Sequence, residues 1–178
     1  MTRTQARVQM TTLLDEDWLD QFITSKRKLV LDMEQLSFLL VTGKLPACFW
    51  RVVQQYGTVL NSMKSNDGTV ILGTDNFHHI GLYYNTLVYV PVMPKLEYVT
   101  SPKFEFNLAR AQYHINSPGF VVADNLLTSE ALESLIQFTL ESTVWFDVKR
   151  GYFGAYFYDG FANHVLEQLV RELRAGFP

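Results

Sequence analysis

Apolar side chains recur at three- and four-residue intervals from Phe49 to Met63, through Val52, Val53, Tyr56, Val59 and Leu60, and this spacing predicts one buried face on a long amphipathic helix. Pro46 stands where the first turn of that helix tolerates a residue without an amide hydrogen. Three other helices are expected around it. The first has Thr12 as cap, Asp15, Glu16 and Asp17 in its first turn, and an apolar stripe of Leu14, Trp18, Leu19, Phe22 and Ile23. The second starts at a capping-box-like Asp32 and Gln35, runs through Leu36, Leu39 and Leu40, and stops near Thr42 because Gly43 suits a left-handed C-terminal residue. After a turn at Ser65–Gly68, the last is capped by Thr74 or Asp75 and carries Phe77, Ile80, Tyr84 and Leu87 on one side.

Between Pro91 and Pro118 lie four of the six prolines, which predicts an irregular connector with a short helix at Asn107–Tyr113. Beyond it the pattern alternates. Phe120–Ala123 reads as a buried strand, and Thr128 as the cap of a helix with Glu130 in its first turn. Thr143–Phe146 and Tyr152–Tyr158 read as a hairpin turning at Lys149-Arg150-Gly151, and a final helix buries Val165, Leu166, Leu169, Val170 and Leu173 before Gly176. The expected class is α+β: a helical N-terminal half (1–90), a connector (91–118), then a small strand-helix-strand-helix unit with an antiparallel sheet (119–178). At 178 residues the whole is also short enough to form one compact domain.

Composition narrows the function classes. A formal charge of −3 offers no field that gathers nucleic acid, and the one basic cluster, Lys26-Arg27-Lys28, reads as a solvated helix end. The apolar runs are far shorter than the ~20 residues that cross a bilayer, and no secretion signal is seen, so a cytoplasmic protein is expected. A single cysteine, Cys48, precludes an internal disulfide; followed by Phe49 and Trp50, it reads as a buried core thiol.

The order strand, helix, strand, helix, with Gly119-Phe-Val-Val-Ala-Asp-Asn-Leu-Leu127 running into Thr128-Ser-Glu-Ala-Leu132, resembles the opening of the catalytic domain in iron(II)/2-oxoglutarate-dependent oxygenases of the prolyl-hydroxylase type. The stretch Leu36–Tyr89, with Gly43-Lys-Leu-Pro46, Tyr56 and Tyr84-Asn-Thr-Leu-Val-Tyr89, is similar to the helical region preceding that core in some bacterial members. The resemblance implies that a double-stranded β-helix bearing a His-x-Asp/Glu iron motif should follow. Within these residues His78, His79, His114 and His164 are each followed two positions on by Ile80, Gly81, Asn116 and Leu166, so none begins that motif. The resulting expectation is a truncated, oxygenase-like chain with no cofactor or metal of its own.

Other chemistry is equally sparse in the sequence. Asp75 and His79 stand four apart beside His78, but this reads as a helix-start contact more readily than as a metal site. There is no Gly-x-Ser-x-Gly and no phosphate-cradling glycine loop. The aromatic stretch from Trp145 to Phe161 stands out. Strand alternation would place Tyr152, Tyr156 and Tyr158 on one face, as core or as an interface, and Phe153 and Phe157 on the other, as core. The expected function is therefore non-catalytic, exercised through self-association or a partner protein at the tyrosine face. Two alternatives stand beside it: one half of a split oxygenase, and a small-molecule binding module.

Overall fold

The computed structural model describes residues 23–63, 68–116 and 119–177. The helix expected from Thr12 lies outside them except for Ile23, as does the Ser65–Gly68 turn except for Gly68. The fold is α+β. Its helices are α1 (Lys26–Val41), α2 (Trp50–Ser62), α3 (Thr74–Ile80), α4 (Phe106–Ile115), α5 (Ser129–Glu141) and α6 (His164–Gly176). Strands β1 (Ile23–Thr24) and β2 (Val70–Ile71) pair antiparallel, as do β3 (Asp147–Lys149) and β4 (Tyr152–Gly154). Two compact units result, one from residues 23–89 and 143–159, the other from 90–142 and 160–177. The expected connector thus groups with α5 and α6, and the hairpin β3–β4 with the N-terminal helices.

In the first unit, α1 begins six residues before the Asp32–Gln35 signal, because the Ser25 side chain accepts the Lys28 amide hydrogen and caps the helix. Asp32 is then mid-helix, one turn beyond Lys28, and binds its ammonium at 2.5 and 2.6 Å. The basic cluster is therefore a helix start. Lys26 and Arg27 are exposed, but Lys28 is only 2% exposed, which corrects the reading of all three as solvated. Gly43, at φ +71°, ends α1 in the left-handed conformation expected of it. Pro46 opens a 3-10 turn, Ala47–Phe49, ahead of α2, and Cys48 on that turn is exposed rather than buried. Helices α1, α2 and α3 close over Leu29, Leu36, Leu39, Val52, Tyr56, Val59 and Ile80. Helix α3 stops at Ile80, where Gly81 lies so close under the Phe77 ring that a Cβ would overlap it; Leu87, expected on the same stripe, is exposed.

The same unit holds the hairpin through Thr143. Its hydroxyl accepts the amides of Val88 and Tyr89 at 2.7 and 2.9 Å, and its own amide donates to the Tyr89 carbonyl. Val144 is fully buried and Asn85 donates to the Phe146 carbonyl, so the entry to β3 is fixed to the 85–89 segment. Thr143–Phe146, expected as strand, is that anchor; the pairing starts at Asp147.

In the second unit Met93, Val99, Ala131, Phe138 and Val165 form the core. Thr128 and Asn163 cap α5 and α6 through their side-chain oxygens, the former as its sequence predicts. Glu172 of α6 accepts the amides of Val99 and Thr100 and the Thr100 hydroxyl, tying an irregular segment to the helix. Phe120–Ala123 is not a strand: it has no ladder partner among the described residues, and Phe120 and Val122 are exposed. Its apolar run met the propensity condition for a strand but not the pairing condition.

Candidate interaction site on the hairpin

The hairpin carries the three tyrosines singled out by the sequence. Its register pairs Asp147 with Gly154, Val148 with Phe153 and Lys149 with Tyr152, across a turn at Arg150 and Gly151, where Gly151 has φ +97°. Strand β4 ends at Gly154, three residues into the expected run, and Phe157–Asp159 forms a 3-10 turn instead. Simple alternation therefore fails beyond Gly154. The tyrosines still come out on the surface: Tyr152 is 62%, Tyr156 44% and Tyr158 81% exposed. Phe157, expected in the core, is exposed as well, because the 3-10 turn rotates it away from the position that strand geometry would give it.

Tyr156 and Tyr158 lie flat against each other, with ring centroids 5.2 Å apart and planes 9° from parallel. The Tyr156 hydroxyl donates to Asp147 Oδ2 at 2.8 Å, and Lys149 Nζ stands 3.2 Å from the other carboxylate oxygen. That hydrogen bond, and then the Asp147 charge, raise the Tyr156 pKa. The same carboxylate raises the pKa of Lys149, again through its hydrogen bond first. Asp159 accepts the Tyr156 amide at 3.2 Å and closes the turn. Asp147 and Asp159, which fix the orientation of the aromatic pair, were not singled out from sequence. The Asp147-x-Lys149 spacing, which puts both side chains on one strand face, was the available signal.

A second group of the same residue types is buried inside the first unit. Lys28 and Asp32 pair beneath the Tyr84 ring, whose centroid is 5.2 Å from Lys28 Nζ, and Tyr84 donates to the Ile23 carbonyl. Burial raises the pKa of Asp32 against the opposing pull of Lys28. Burial and the Asp32 charge raise Tyr56, and burial raises Tyr84, beyond the ordinary phenol range. The adjoining cavity is about 20 Å³, room for a water and not for a metabolite, and none of the three hairpin tyrosines lines it.

The histidines are dispersed: His78 and His79 on α3, His114 on α4, and His164 at the start of α6. Among the described residues no group of three or more His, Cys, Asp and Glu side chains could hold a metal. No helix among them is long and apolar enough to cross a membrane. No protein-family model, no curated protein and no solved structure matches the chain.

Proposed function

We propose that the protein works as a non-catalytic association module, contacting a polypeptide through the tyrosines of the β3–β4 hairpin and of the turn that follows it. The observation that carries this reading is the exposure of Tyr152, Tyr156, Phe157 and Tyr158 on one hairpin and the turn that follows it, the base of the hairpin being pinned by Thr143 and Val144. A rigid aromatic platform loses little side-chain entropy on binding, and Tyr is enriched where interfaces form. The stacked pair is already oriented by Asp147 and Asp159, so contact with a partner requires no reorganisation of those rings.

Tyr156→Glu tests the proposal. Aromatic anchors contribute about 2 kcal/mol or more each at such surfaces, so association should weaken at least tenfold. Because Tyr156 is exposed, the thermal melt should stay near that of the parent chain. Unchanged association by light scattering, or a monomer for the parent chain together with no captured polypeptide, would refute it.

A further inference from the structure

We infer that the partner is a second copy of this chain, joined by antiparallel pairing of β4 with β4 about a two-fold axis at Phe153; this rests on the association reading and specifies its geometry. The two edges of the hairpin differ. Strand β3 presents Asp147 and Lys149, the kind of charged residues that blunt an edge against further pairing. Strand β4, Tyr152-Phe153-Gly154, has no charge, proline or bulge, and no other strand lies along its outer side among the described residues.

The hairpin's hydrogen bonding fixes which residue leads. In a hairpin closed by two turn residues, the flanking pair Lys149 and Tyr152 exchange the first ladder bonds, and the pattern alternates outward from there. Phe153 then belongs to a non-bonded pair with Val148, and its amide and carbonyl point away from β3. Two copies related by a two-fold axis can satisfy these groups mutually, Phe153 to Phe153.

Charge selects the same arrangement. The turn end of the hairpin is basic, with Lys149 and Arg150, and the open end is acidic, with Asp147 and Asp159. Lys149 is satisfied by Asp147 within its own copy, whereas Arg150 is exposed with no ion pair among the described residues. Antiparallel pairing at Phe153 sets Arg150, in the turn of one copy, beside the open end of the other. There it meets the face of the stacked tyrosines, and the Asp159 carboxylate that holds the Tyr156 amide. The strip is thus self-complementary end to end, as an isologous contact requires, and parallel pairing would set basic end against basic end.

The test uses the full chain, in light scattering across micromolar concentrations. Arg150→Glu and Asp159→Lys should each raise the dimer dissociation constant at least tenfold, and an equimolar mixture of the two should recover a dimer with one copy of each, identified by native mass spectrometry. A mixture no better than the single variants, or single variants that dimerise like the parent, overturns the β4 pairing. A second measurement needs no substitution: exchange of the Phe153 amide hydrogen should slow as protein concentration rises. Association without slowing at Phe153 refutes this geometry and leaves the association reading standing if Tyr156→Glu still breaks it. A parent chain that is monomeric throughout removes the self-pairing, and with a Tyr156→Glu variant indistinguishable in polypeptide capture it removes both.

Discussion

Two places in this molecule assemble a lysine, an aspartate and tyrosines, with opposite consequences. On α1, Lys28 is 2% exposed and grips Asp32 under the Tyr84 ring; on the hairpin, Lys149 is 49% exposed and shares Asp147 with Tyr156. The side-chain chemistry is the same, but the solvent around it is not. In the buried group each ion depends on the other for the solvation it lost, while in the exposed group water can replace any partner that leaves. The first is part of the unit's stability. The second is free to spend its aromatic surface on a partner.

The largest loss is expected for Lys28→Met, which leaves the Asp32 carboxylate buried without its cation. Stability should fall by about 3–5 kcal/mol, measured by denaturant unfolding. A loss below about 1 kcal/mol would show that water reaches Asp32 and that the two groups are alike.

Glu172 is intermediate, a carboxylate held by N–H and O–H donors with no cation among the described residues. Burial would raise its pKa, but the hydrogen bonds from Thr100, Val99 and Gln168 outweigh this and hold it down to about 2. Since the folded value lies below the unfolded one, the stability it contributes is complete above the ordinary glutamate range near 4.5 and is lost as pH falls toward 2. Glu172→Gln should cost about 1.5–3 kcal/mol at neutral pH and flatten the melting temperature of the second unit between pH 5 and pH 2, to about the level the parent reaches at the acid end. An unchanged acid profile in the variant would assign that pH dependence to other carboxylates.

The smallest effect is expected for Lys149→Met, whose denaturant unfolding should be indistinguishable from that of the parent chain, because an exposed pair gains little over its hydration. A loss comparable to that of Lys28→Met would mean the hairpin is covered in solution, which sharpens the case for association.

Much of the helical scaffold was legible in the sequence because its determinants are local. The Phe49–Met63 periodicity, Gly43 after α1, Thr128 before α5 and the Lys149-Arg150-Gly151 turn each act within a few residues, and each stands where expected. What failed depended on distant partners or on competing signals. Phe120–Ala123 has strand propensity but no strand to pair with among the described residues, and β1 and β2 pair over too great a separation for a local reading to find. The α1 start was misplaced because Asp32, a plausible cap, was already committed to Lys28 one turn earlier. At the site, the aromatic residues were legible as a group. Their geometry was not, since Gly154 ends the strand and the Asp159 bond to the Tyr156 amide sets a turn that alternation cannot describe.

The Glu172 clamp also has a bearing on the order of folding. It joins residues 72 and 73 positions apart in the chain, and the amides of Val99 and Thr100 have their protection from this side chain. The Val99 carbonyl is already met by the Thr128 amide, but the two amides gain their partner only when α6 forms and docks, which closes a long loop. Those two amides report the docking of α6 and keep time for its release, since their hydrogens exchange with solvent only when the glutamate lets go.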